Sequence, residues 1–171
     1  MAHITLGGSP ISTVGNLPTV GETAPDFKLV DRSLADHRLG DWKGKVRILN
    51  IVPSLDTSVC ALSAKKFDAE VAKLEGVVVL TVSCDLPFAQ DRFCKAEGVS
   101  NVVFLSQMRD KSFGRDYGVE ILDGPLAGLL SRSIVVVGAD EVVRYTQQVP
   151  EIKTEPDYEK ALAAAKAALK A

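Results

Sequence analysis

The sequence predicts an α/β fold in which a central mixed β-sheet is flanked by helices and preceded by a short N-terminal β-hairpin. Three observations predict it. The runs VRILNIV (46–52), VVVLTVSC (77–84) and SIVVV (133–137) are near-continuous in apolar character, as in strands buried on both faces. Helical spacing between the first two makes them a parallel pair with a right-handed crossover. The third run passes through a turn at Gly138 to Glu141 into VVRYTQQV, an antiparallel hairpin. A parallel pair and an antiparallel pair together give a mixed sheet.

Taken in order, ITLGGSPIST alternates around Gly7, Gly8 and Pro10 and predicts the hairpin, with residues 1–15 as an extension of the main unit. Residues 15–45 are turn-rich, with a short strand around Phe27 to Val30. After the strand at 46–52, the turn PSLDTSVC delivers Cys60 to the start of a helix. Leu62, Phe67, Val71 and Leu74 are its apolar positions, and Gly76 is its stop. Cys84 closes the next strand. In DLPFAQDRFCKAEG, Pro87 suits a helix start and Gly98 a stop, with Cys94 inside. NVVFLS (101–106) is a strand, DKSFGRDYGV a short helix, and ILDGPLAGLLSR a Gly-rich loop. EPDYEKALAAAKAALK is a strong closing helix with Pro156 near its start.

The chain has 171 residues, fitting one domain, 1–171, with a sizeable core. The formal net charge is −2 with no basic block, which points away from nucleic acid and anionic membranes. No apolar run approaches the ~18 residues of a membrane span, and MAHITLGGSPIST has no basic-then-apolar secretory pattern. Three cysteines are too few for a disulfide scaffold and favour a reducing, cytoplasmic setting with free or reactive thiols. A metal site is not expected. The cysteines lack ligand pairs, and the two histidines, His3 and His37, both lie near the N-terminus.

Cys60 is the candidate nucleophile. At a helix N-terminus the free amides and the positive end of the dipole favour the thiolate. An ordinary thiol, of pKa about 8.5, is only about 3% thiolate at pH 7. A helix terminus contributes at most ~2 kcal/mol, which leaves such a thiol about half ionised. Full activation requires a cation or a further hydrogen bond to sulfur. Thr57 is the nearest donor in sequence, and Asp56 is expected to cap the helix. The alternative is a buried structural cysteine after an ordinary turn. Cys84 reads as a small buried hydrophobe. Cys94, 34 positions after Cys60, forms no C-x-x-C with it, so spacing alone assigns it no role. By sequence physics Arg132 is a surface arginine.

Pro53, Thr57 and Cys60 form P-x-x-x-T-x-x-C, which resembles the active-site signature of the peroxiredoxins. The fuller string PSLDTSVC is similar to that of the thiol peroxidase subfamily, the atypical two-cysteine peroxiredoxins. The N-terminal hairpin and the segment GLLSRSIVVV extend the resemblance over nearly the whole chain. The element order β-α-β-α-β-α-β-β-α is similar to a thioredoxin fold with additions.

The resemblance implies a peroxidatic Cys60, a resolving Cys94, and a Cys60–Cys94 disulfide formed during turnover. It implies Thr57 as hydrogen-bond donor to the peroxide, Pro53 as shaper of the pocket, and Arg132 beside the sulfur. It further implies an antioxidant enzyme reducing hydrogen peroxide and alkyl hydroperoxides, no cofactor, a thioredoxin-like reductant and a homodimer. Leu55, Phe88 and Leu130 are the apolar residues expected near the site. Two readings compete: a thiol–disulfide reductase or isomerase, disfavoured by the missing C-x-x-C, and a non-enzymatic redox-sensing or holdase module.

Overall fold

The computed structural model describes all 171 residues. A two-stranded antiparallel hairpin, β1 (His3–Leu6) and β2 (Ser9–Ser12), precedes a seven-stranded sheet. The sheet contains β3 (Leu29–Val30), β4 (Asp36–His37), β5 (Val46–Ile51), β6 (Val77–Ser83), β7 (Val103–Ser106), β8 (Ser133–Val137) and β9 (Val143–Gln148), in the spatial order β4-β3-β7-β6-β5-β8-β9. β5, β6 and β7 run parallel, while β8 pairs antiparallel with β5 and β9 antiparallel with β8. The helices are α1 (Ser58–Val71), α2 (Pro87–Glu97), α3 (Ser112–Asp116) and α4 (Tyr158–Leu169).

Every residue of β5 is buried, and alternation sends its side chains into two separate cores. Val46 and Ile48 join Phe67, Leu162, Ala165 and both Cys60 and Cys94 on one face. Leu49 and Ile51 join Leu29, Phe113, Tyr117 and Leu130 on the other. A third, small cluster of Ile4, Ile11, Ile121 and Ile152 fastens the hairpin to the body.

Three local expectations change. The turn-rich region before β5 contributes two short strands, β3 and the edge strand β4, and Phe27 stands outside them as a buried side chain. The buried stripe of α1 is Cys60, Ser63, Ala64, Phe67 and Val71. Leu62 is exposed, and Leu74 lies beyond the helix end. The stripe tolerates Ser63 because its hydroxyl donates to the Cys60 carbonyl at 3.0 Å, so no buried hydrogen-bond donor is left over. Thr57, not Asp56, is the N-cap residue of α1. Asp56 is exposed and points toward Arg92, 3.9 Å away. α4 begins as its sequence suggests: the Asp157 side chain accepts from the Lys160 backbone N–H at 3.0 Å.

Candidate active site

The end of β5 runs into a turn held by its own side chains. The Thr57 hydroxyl donates to the Ser54 carbonyl at 3.0 Å, and the Thr57 N–H reaches the same oxygen at 3.3 Å. This turn sets Cys60 in the first turn of α1, fully buried beside Val52, Leu55 and Ala64. The Thr57 hydroxyl hydrogen is thereby committed to Ser54. Its oxygen presents lone pairs, so it can accept a hydrogen bond from a peroxide O–H, the reverse of the donor role expected from sequence.

Arg132, immediately before β8, is only 2% exposed. Its Nη1 donates to Cys60 Sγ at 3.2 Å, and its Nε donates to the Ile152 carbonyl at 2.7 Å. The antiparallel pairing of β5 with β8 sets Ser133 opposite Ile51, which brings positions 72 residues apart in sequence into contact. The surface placement suggested by sequence physics is therefore wrong, because pairing at the end of β8 turns the side chain inward. The cation that the thiol required is in place.

Above this pair opens a pocket of about 370 Å³, lined by Pro53, Thr57 and Arg132 with Leu6, Leu126 and Ile152 among its apolar walls. Of the apolar residues expected here, none lines it. Leu55 lies in the core beneath, Leu130 in the core on the opposite face of the sheet, and Phe88 is exposed on α2. The actual walls come from the hairpin, the Gly-rich loop and the segment after β9. Leu126 follows the Pro and Gly of that loop, but nothing in its sequence spacing says which way it points.

Ile152 and Glu151 were invisible to sequence reasoning because Ile152 acts through its backbone carbonyl and the Glu151 carboxylate acts on residues more than 140 positions away. Glu151 accepts from Thr5 Oγ1 at 2.6 Å and from the Gly7 and Gly8 amides at 2.8 and 3.0 Å. These bonds, with one from the Lys153 amide, hold its carboxyl down at about 2. The hairpin is thus tied to the strand-like segment whose carbonyl orients Arg132.

Cys94 lies on α2, 4% exposed, in the same apolar cluster as Cys60, and both thiols are free. Burial pushes the Cys94 thiol up. Cys84 is half-buried just past β6, where its sulfur accepts from Gln107 Nε2 at 3.2 Å. Burial pushes its thiol up as well, and it does not line the pocket.

Residues 19–162 match the Redoxin family. The chain is 58% identical over 164 residues to a thiol peroxidase of Mycobacterium tuberculosis, covering 96% of this chain and 98% of the relative. It is 50% identical over 171 residues to a thiol peroxidase of Leptospira interrogans, covering 99% and 100%. Among solved structures it is similar to a peroxiredoxin-like protein from Aquifex aeolicus, at 39% identity and a TM-score of 0.93 over 98% of both chains.

Proposed function

The chain belongs to the Redoxin family, and on that premise we propose that it is a thiol-dependent peroxidase in which Cys60 is the attacking thiol and Cys94 the resolving one. The observation that carries the reading is the Arg132 Nη1 to Cys60 Sγ contact of 3.2 Å beneath a largely apolar pocket. The Cys60 sulfur attacks the distal peroxide oxygen, the O–O bond breaks, and an alcohol or water leaves. Charge develops on the leaving oxygen. Of the five N–H donors of Arg132, two are committed to Cys60 and Ile152, so others remain to meet that oxygen. Thr57 accepts from the peroxide O–H and Pro53 closes the side of the pocket, excluding water.

The sulfenic acid then condenses with Cys94. The Cys94 sulfur bonds to the Cys60 sulfur, the S–O bond breaks, and water is released. A thioredoxin-like dithiol reduces the disulfide by exchange. No step calls for a metal or an organic cofactor. The pocket is about ten times the roughly 30 Å³ a water occupies, so it supports alkyl hydroperoxides as substrates alongside hydrogen peroxide. We read residues 1–171 as one catalytic domain with 1–15 as its hairpin extension, acting in the cytoplasm as a homodimer. Sedimentation velocity of the reduced chain tests the dimer. No helix of the protein is long and apolar enough to cross a membrane.

Intact mass with thiol counting, before and after one equivalent of cumene hydroperoxide, tests the chemistry. The expected result is loss of two thiols with a decrease of two hydrogens, abolished in Cys60→Ser and in Cys94→Ser. In Cys94→Ser the first oxidation persists as a trappable sulfenic acid. Three thiols that survive unchanged refute the reading.

A further inference from the structure

We propose that a hydrogen-bond relay, Ser54–Asp85–Ser83–Gln90, couples the loop in front of Cys60 to the helix that carries Cys94, with Asp85 as the positioning residue at its centre. The proposal rests on the peroxidatic and resolving assignments above. Asp85 lies between β6 and α2, and its carboxylate gathers donors from both sides. Ser54 Oγ donates to Oδ1 at 2.8 Å, the Leu55 backbone N–H to Oδ2 at 2.8 Å, and Ser83 Oγ to Oδ2 at 2.9 Å. Ser54 is the residue whose carbonyl holds Thr57, so Asp85 fixes the turn that presents both Thr57 and Cys60.

The relay continues inward. Gln90 Nε2 donates to Ser83 Oγ at 3.2 Å and to the Leu105 carbonyl at 3.0 Å. Gln90 is fully buried and stands one helical turn before Cys94, on the same face of α2. Its Oε1 is buried without a partner, so its hold on the body is one-sided. Of the eleven residues of α2, only Pro87, Gln90 and Cys94 are buried, while Phe88, like the N-cap residue Leu86, is exposed. Beside these, Phe93 packs partly buried against the core with its ring edge-on to Phe104 at 5.8 Å, and the other ties are surface ion pairs such as Arg32–Asp91, which contribute little, so α2 has fewer interior holds than α1.

Condensation of the two cysteines requires their Cα atoms to come within roughly 7 Å, and both now sit inside intact helices. Movement of the Cys60 turn must break the Ser54 and Leu55 bonds to Asp85. That frees the Asp85 side chain to follow the turn away from Ser83, and the Ser83–Gln90 end of the same chain loosens with it. The relay thus holds the site closed while Cys60 is reduced and lowers the cost of moving α2 once the turn has opened.

Rapid-quench kinetics with alkylation and mass analysis separate two steps: oxidation of Cys60, which scales with peroxide, and disulfide formation, which does not. In Asp85→Asn we expect the first step to slow about tenfold and the second to accelerate about tenfold, the scale of one hydrogen bond to a charged group. Gln90→Leu accelerates the second step, and the double variant is no faster than the faster single one, because both cut the same relay. Ser54→Ala, which removes the Oδ1 contact and the Asp56 N–H bond to Ser54 Oγ but leaves Leu55 and Ser83 on the carboxylate, shifts both rates in the same directions by less. It serves in place of Asp85→Asn should that variant fold poorly. Asp85→Glu keeps part of the wild-type ratio. A disulfide step that is unchanged or slower in these variants, or effects that multiply independently, overturns the proposal. A wild-type chain that keeps three thiols under peroxide instead removes the underlying cysteine assignments.

Discussion

Arg132 carries a charge into an interior where an unpaired ion costs several kcal/mol. The site offsets that cost with two fixed acceptors, the Cys60 sulfur and the Ile152 carbonyl. Lysine retains the charge but not the planar fork, so it cannot hold both acceptors while reaching a substrate. Arg132→Lys is expected to lower the second-order rate of Cys60 oxidation about a hundredfold, with retained secondary structure by circular dichroism. A loss of less than threefold would show that charge alone suffices. Gly118 illustrates the opposite extreme, a residue defined by what it lacks. Its φ is +69°, and a Cβ there would sit 2.1 Å from the Asn16 carbonyl oxygen. Gly118→Ala is expected to cost about 2 kcal/mol or more, read as a lower urea midpoint at constant slope.

Among the elements, α1 carries Cys60 and α2 carries Cys94, and the two helices differ in how firmly they are held. α1 buries five side chains, including Phe67, whose ring meets Tyr158 of α4 edge-on at 5.3 Å. α2 buries three. The less anchored helix is the one expected to move when the disulfide closes. Hydrogen exchange on the reduced and oxidised forms should show lost protection in α2, with α1 beyond its first turn unchanged. Equal protection in both states would contradict this. The N-terminal hairpin acts as a wall of the pocket as well as an appendage, since Leu6 lines the cavity.

For the molecule as a whole, two titrating clusters act in opposite pH windows. Glu151 has its carboxyl held at about 2 by the hydrogen bonds from Thr5, Gly7, Lys153 and Gly8. A depressed folded-state value contributes stability above the unfolded pKa, and that stability is lost as pH falls toward 2. Hairpin amides should therefore lose exchange protection below about pH 4, and Glu151→Gln should flatten that dependence. His37 lies between Asp31 and Asp41, at 2.7 and 2.8 Å. Burial opposes its protonation, but the hydrogen bonds to Asp31 and Asp41 outweigh burial and raise it. A raised folded-state value contributes stability that is complete below about pH 6.5 and lost as pH rises through the folded-state pKa. NMR titration of His37 in wild type and in Asp41→Asn, whose midpoint should fall, checks the sign.

Sequence alone determined the central strands, because a run such as VRILNI can satisfy its apolar side chains only when buried on both faces, whereas the edge strand β4 carries no such run. It also determined the turn that presents Cys60 at the start of α1, because Pro53, Thr57 and Cys60 are close in the chain and their geometry is local. The resemblance to peroxiredoxins starts from those residues and extends through the N-terminal hairpin and GLLSRSIVVV. Whether Arg132 faces the sulfur or the solvent was decided by the antiparallel register of β5 and β8, a contact across 72 positions that no local pattern encodes. The pocket walls were likewise decided by tertiary structure. Leu6, Leu126 and Ile152 come from three distant segments, and only packing brings them to one surface. Local preferences reach a few residues along the chain, whereas a catalytic pocket is assembled from whatever the folded sheet and loops bring together.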